Sequence, residues 1–263
     1  MAKRSAQARR ARQRAGGPFP DQQDAAYEGD NVRRLFEEPH WSPLGPASGE
    51  EPAREQKYRK NIRAQNDAQQ ALIDAIDLNP LVFAAGAAGT GKTYLAVAKG
   101  VEALEAGRVR RIVLSRPAVE AGESLGFLPG DMEEKLSPYL RPLYDALCDR
   151  ISGKRLRALM AESVIEIAPI AYMRGRTLNN SYVVIDEAQN CTYGQLKMLL
   201  TRLGWSSSMV VTGDPAQTDL LPGMSGLEDV MTRLQHIEQV SVVRFTRADV
   251  VRHPLVAEMI DAL

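Results

Sequence analysis

Residues 86–93 read GAAGTGKT and satisfy the pattern GxxxxGK[ST] in full, and no other stretch restricts the fold of this chain so narrowly. In that pattern the backbone N–H groups of a glycine-rich loop wrap the phosphates of a nucleoside triphosphate. The flanks supply the context such a loop requires. Residues 81–85 (LVFAA) are a short apolar run suited to a buried strand, and residues 92–106 are rich in helix formers up to Gly107. Average residue frequencies give the pattern by chance roughly once in a hundred chains of this length. A strand, a loop and a helix in succession make a chance glycine-rich turn the weaker account.

The chemistry needs these residue types. Gly86, Gly89 and Gly91 let the main chain approach phosphate oxygens with no Cβ in the way, and Ala87, Ala88 and Thr90 complete the run of N–H groups. A helix starting near Lys92 turns the positive end of its dipole toward the same oxygens. Lys92 brings a mobile positive charge to the β- and γ-phosphates, and Thr93 places a hydroxyl on Mg2+. The loop specifies a nucleoside triphosphate and leaves open what is done with it.

A chain of 263 residues with 44% hydrophobic content can bury a substantial core, and a formal net charge of zero points to no acidic or basic partner. That average hides an uneven distribution. Lys3, Arg4, Arg9, Arg10, Arg12 and Arg14 occupy a start without acids, whereas Asp21, Asp24, Glu28, Glu37, Glu38, Glu50 and Glu51 follow among prolines and glycines. Residues 1–60 are expected to be a disordered tail, and residues 61–263 the folded domain. The basic start fits a solvated tail, a nucleic-acid-binding arm or a transit peptide, although it lacks the apolar stretch of a secretory signal and the large apolar residues of an amphipathic targeting helix. No segment is long and apolar enough to span a bilayer, and Cys148 and Cys191 have neither pair-like nor metal-like spacing. Both are expected to be reduced thiols of a cytoplasmic protein.

Beyond the loop, β-rich runs at 111–115, 164–168, 182–186, 209–213 and 240–245 alternate with helical stretches at 133–147, 192–203, 226–236 and 254–263. This is the pattern of an α/β fold with a mostly parallel sheet covered on both faces. Two strand ends carry chemistry. The run YVVIDE at 182–187 ends in two acids, of which Asp186 suits the outer shell of Mg2+ and Glu187 a base that polarises water. The next strand leads to VTGDPAQ, and Gln217 is placed to hydrogen-bond both a γ-phosphate and the attacking water. Each reading competes with an ordinary turn after a strand.

Together these residues resemble the PhoH-like family of ATPases, relatives of the superfamily 1 helicase core. The resemblance runs from Asn66 to Leu263. Its specific part is SRPAVEAGESLGFLPGDMEEKLSPYLRPLYDAL at 115–147, MRGRTLNN at 173–180, IDEAQN at 185–190 and DVVRHPLV at 249–256. It implies a three-layer RecA-like P-loop NTPase core, with ATP and Mg2+ as ligands. It also implies that Gln69, with Asn66 before it, reads the adenine edge, and that Gln217 is the γ-phosphate glutamine. Ala87 stands where the family usually has proline, and the usual Asp-Leu-Pro is stretched here to Asp219-Leu220-Leu221-Pro222.

Helicases of this type use a second lobe to bring arginines to the γ-phosphate, and the chain has no room for one. The expectation is therefore a homo-oligomeric ring, a hexamer, in which Arg252, or else Arg174 or Arg176, enters a neighbour's site. The alternative for each is phosphate or sheet-edge packing within its own subunit. Arg116, Lys135, Tyr139 and Arg141, in a loop segment marked by Gly122, Gly126, Pro129 and Gly130, suit either a single strand or a subunit contact. By analogy with ring ATPases that thread a polymer, the strand acted on is single-stranded nucleic acid, with RNA favoured. A small-molecule kinase would lose ATP to water beside Glu187, and a GTPase would carry Asn-Lys-x-Asp, which is absent. The stronger rival is an ATP-dependent switch or scaffold that regulates a partner such as a ribonuclease.

Overall fold

The computed structural model describes residues 62–117 and 132–251, with the backbone alone for 132–139. The expected tail, residues 118–131, Arg252 and the expected helix at 254–263 lie outside the described residues, as do the side chains of Lys135 and Tyr139.

Six strands form one sheet in which every pairing is parallel. They are β1 (Leu81–Gly86), β2 (Arg111–Arg116), β3 (Ile165–Pro169), β4 (Ser181–Ile185), β5 (Ser208–Gly213) and β6 (Val240–Phe245), and their spatial order is β3-β2-β4-β5-β1-β6. The apolar runs LVFAAG and SYVVI become inner strands because both of their faces are covered, and all five residues of β4 are buried. On one face, Val82, Ala84, Ile112, Leu114, Val184 and Val210 pack beneath α1 (Asp67–Leu78), α2 (Lys92–Glu105), α3 (Met132–Cys148) and α4 (Gly153–Ala161). On the other, Phe83, Val113, Val183, Ile185, Met209 and Val211 pack against α5 (Tyr193–Leu200) and α6 (Leu227–Leu234). The alternation of strand residues between these two clusters is the period-two consequence of the pleat. The result is the three-layer α/β core that the sequence implies.

Local chemistry sets the helix ends. Asn66 accepts from the Gln69 N–H at 2.9 Å to start α1, and Thr192 forms a reciprocal capping box with Gln195 to start α5. The expected helix at 192–203 stops at Leu200 because the chain turns back: the Leu178 N–H donates to the Arg202 carbonyl at 2.9 Å, and Leu178 bridges to Leu203. Two helices escape the periodicity reading. In α4 only Leu156 is buried, and α1 buries Leu72, Ala75 and Ile76 on a face otherwise written in polar residues. Among the described residues, no helix is long and apolar enough to cross a membrane.

The strand order matters most. Strand β5 lies between β1 and β4, with Ala85 opposite Gly213 and Ile185 opposite Val211. The loops after β1, β4 and β5 therefore leave one edge of the sheet side by side, where ligands of open parallel sheets bind. Truncating Leu114→Ala, fully buried under the helices, should cost about 2–5 kcal/mol in urea unfolding. The Leu78→Ala change, 81% exposed at the end of α1, should stay within about 0.5 kcal/mol.

Candidate active site

The glycine loop begins where β1 runs out of room. At Gly86 φ is +138°, and a Cβ there would sit 2.0 Å from the Phe245 carbonyl oxygen of neighbouring β6, so only glycine fits. Lys92 folds back over the loop. Its Nζ donates to the carbonyls of Gly86 at 2.6 Å and Ala87 at 2.7 Å, and to Thr90 Oγ1 at 3.3 Å. Burial pushes the Lys92 ammonium below its ordinary pKa, opposed by the carboxylates of Asp214, Glu187 and Asp186. These three acids follow β4 and β5, so the charge of the loop is already matched to the strands beside it.

Asp186 is the hinge of that match. Only 3% exposed, its Oδ1 accepts from Thr93 Oγ1 at 2.7 Å and from Thr212 Oγ1 at 2.6 Å. The Asp186 N–H donates to the Ser115 carbonyl at 2.8 Å. Glu187 follows with φ of 53°, in the left-handed region, which turns its side chain out of the strand direction. Its Oε1 accepts from Arg116 Nη2 at 3.1 Å and its Oε2 from the amide of Gln189. A cleft of about 260 Å³ is lined by Ala88, Gly89, Gly91, Lys92, Thr93 and Tyr94 from the loop and α2, Asp186 and Glu187 after β4, and Gly213, Asp214 and Gln217 at the end of β5 and beyond it. The turn bearing Gln217 is fastened to the β4 loop, since Asn190 both donates to Asp219 Oδ2 and accepts from the Asp219 N–H, each at 2.8 Å.

The structure redirects several residues. Gln69 and Asn66 do not line the cleft. Gln69 is 5% exposed, and its amide donates to the Thr90 carbonyl at 2.9 Å while accepting from the Gln65 N–H at 2.8 Å. As placed, its amide braces the phosphate loop from beneath. Asn66 Nδ2 donates to the Asp249 carbonyl at 3.1 Å, and the Val251 N–H donates to the Gly89 carbonyl at 3.0 Å. The DVV stretch before Arg252 is thus tied to the loop of its own chain. Arg176 is bound at the far side of the sheet, where both guanidinium arms meet the Glu166 carboxylate on edge strand β3. The fork matches a carboxylate within its own subunit, the sheet-edge packing that stands as the alternative to entry into a neighbour's site. Arg174 is exposed. Arg116, which the sequence offers either to a single nucleic-acid strand or to a subunit contact, has its guanidinium on Glu187. Sequence reasoning gave no role to Thr212 or Gln189; the only signal was their position beside the chemically readable strand ends. Cys191 is buried, which pushes its thiol up to about 12, and both cysteines are free.

The donors also bear on a metal. Thr93 and Asp186 bring a hydroxyl and a carboxylate oxygen together, the hard oxygen pair that suits Mg2+, an ion that keeps several waters and needs few protein ligands. Among the described residues no cluster of three or more His, Cys, Asp or Glu is present to favour another metal.

A parallel α/β sheet with a glycine loop after β1, acids after β4 and a glutamine after β5 defines the P-loop nucleotide-binding class. The PhoH family, described as PhoH-like protein, matches residues 61–263, and the chain belongs to that family. The PhoH-like protein of Bacillus subtilis (strain 168) is 55% identical over 204 residues, covering 77% of this chain and 64% of that protein. The PhoH-like protein of Mycobacterium tuberculosis (strain ATCC 25618 / H37Rv) is 56% identical over 204 residues, covering 77% and 58%. Protein PhoH of Escherichia coli (strain K12) is 46% identical over 206 residues, covering 77% and 58%. The chain thus spans 58% to 64% of the length of these relatives. Among solved structures, a large terminase from a thermophilic bacteriophage, in complex with ATP-gamma-S, aligns at 11% identity with a TM-score of 0.46, covering 74% of this chain and 48% of that one.

Two outcomes test this geometry. Thr212→Val keeps the shape but removes one hydroxyl donor from buried Asp186, and should cost about 1–3 kcal/mol in chemical denaturation. The guanidinium of Arg176 holds the Glu166 carboxyl below its ordinary value of 4.5, against the effect of burial. A depressed folded-state value means that the pair stabilises fully above the unfolded value and loses that contribution as pH falls through the folded one. The stability gap between wild type and Glu166→Gln should accordingly be flat near neutrality and close on acidification below pH 4.5.

Proposed function

We propose that this chain is a Mg2+-dependent ATPase that acts on single-stranded nucleic acid, with RNA favoured, as a ring oligomer of six subunits. The observation that carries the hydrolytic reading is the convergence of Lys92, the Thr93–Asp186 pair, Glu187 and Gln217 on one cleft. Backbone N–H groups of residues 86–93 and the Lys92 ammonium bind the phosphates. Thr93 and Asp186 would hold Mg2+, which neutralises charge on the β- and γ-phosphates when bound. Glu187 takes a proton from water as its oxygen bonds to the γ-phosphorus and the bond to the bridging oxygen of ADP breaks. Gln217 orients that water and touches the γ-phosphate, so the turn after β5 registers whether the phosphate is present.

The ring is supported by a deficit of charge. Among the described residues that line the cleft, Lys92 is the one cation. Arginines that reach a transferring phosphate raise rates by about 10³–10⁵. Arg252 or Arg174 of a neighbouring copy is proposed to supply that charge. Nucleic acid as the partner rests on the resemblance to helicase cores and on the basic and aromatic residues of 115–147.

Glu187→Gln should lower turnover about 10²–10⁴-fold while ATP remains bound, measured as phosphate release beside nucleotide retained on the protein. Single-stranded RNA should raise the wild-type rate. A rate indifferent to nucleic acid would instead point to the switch that regulates a partner such as a ribonuclease. Particle mass with ATP and Mg2+ tests the ring, and full activity of a monomer at high dilution would contradict it.

A further inference from the structure

Both oxygens of the Glu187 carboxylate are taken, one by a donor at the end of β2 and one by a donor in the turn that follows β4. Arg116 Nη2, at the end of β2, reaches Oε1 at 3.1 Å, and the Gln189 amide nitrogen reaches Oε2. Gln189 is 3% exposed, and its own Oε1 accepts from the Asp214 N–H at 3.0 Å. A carboxylate only accepts and a backbone N–H only donates, so a single orientation of this amide satisfies both neighbours. The space around it is closed as well. A Cβ at Gly213 would lie 2.8 Å from Gln189 Oε1 and 2.7 Å from Leu227 Cδ2, so the amide lies flat against a position that accepts no side chain. The Gln189 carbonyl accepts from Thr218 Oγ1 at 3.0 Å, which fastens the residue next to Gln217 to the same turn.

We propose that Gln189 and Arg116 are the positioning residues of the hydrolytic site: Gln189 fixes the Glu187 carboxylate relative to the β5 turn that bears Gln217, and Arg116 fixes it relative to the end of β2. This inference rests on the reading of Glu187 as the group that activates water. Neither residue is among those that line the cleft. Loss of either misaims the base without weakening nucleotide binding. Gln189 also carries the state of the γ-phosphate to Glu187, because the turn that senses it and the acid that cleaves it share one amide.

The test separates kcat from binding. Gln189→Glu keeps the acceptor for the Asp214 N–H and the volume, but sets a carboxylate against Glu187. It should lower kcat at least tenfold with affinity for a fluorescent ATP analogue unchanged within twofold. Arg116→Met should behave alike, and Arg116→Lys, which keeps the charge, should recover part of the loss. Should the buried Gln189→Glu protein fail to fold, the two Arg116 variants decide the matter. Wild-type kcat in Gln189→Glu and Arg116→Met would overturn the inference, as would kcat, affinity and melting temperature falling together, the signature of a scaffold role. Glu187→Gln measured alongside keeps the two readings apart. Its turning over at the wild-type rate refutes water activation by Glu187, whereas an inactive Glu187→Gln beside fully active Gln189→Glu and Arg116→Met refutes the positioning alone.

Discussion

One buried carboxylate oxygen ties the functional edge of this molecule together. Asp186 Oδ1 accepts hydroxyl bonds from Thr93 at the start of α2 and from Thr212 in β5, at 2.7 and 2.6 Å. A charged group so enclosed is costly unless donors surround it. Here the donors come from the helix that follows the glycine loop and from the strand between that loop and the acids. Satisfying Asp186 therefore requires β1, β4 and β5 to be level and adjacent, and the loop, the acid pair and the turn that bears Gln217 are placed by the same requirement.

The rest of the edge extends this logic outward. Lys92, a largely buried cation, is held by loop carbonyls and by the field of Asp186, Glu187 and Asp214. The loop is braced from below by Gln69 and from the side by the N–H of Val251. None of these contacts is strong alone, since a hydrogen bond contributes about 0.5–1.5 kcal/mol net. Their combined effect is to hold the loop and the charges beside it in one arrangement.

Partner choice for each charge was settled by distance in space. Arg176 and Arg116 are both arginines near strand ends and look equivalent along the chain. The first closes a two-armed pair with Glu166 on the outermost strand β3, and the second meets Glu187 at the centre of the edge. Likewise Gln69 and Gln217 are both glutamines near strands, yet one is 5% exposed beneath the loop and the other is exposed at the cleft. A side chain reaches only a few ångströms, so the strand order decides what it can touch.

The sequence alone determined the kind of local structure and singled out the candidate reactive groups. GAAGTGKT fixed a phosphate loop between strand and helix, the apolar runs fixed six parallel strands, and IDE and GDPAQ marked the acids and the glutamine, because these signals are periodicity and residue chemistry read over a few neighbours. Only the tertiary structure decided that β5 is inserted between β1 and β4, that Thr212 and Thr93 share Asp186, and that Arg116 and Gln189 hold Glu187. Those facts depend on pairings between residues dozens of positions apart, set by packing two helical layers over one sheet. No local pattern along the chain encodes which of many compatible side chains will meet there.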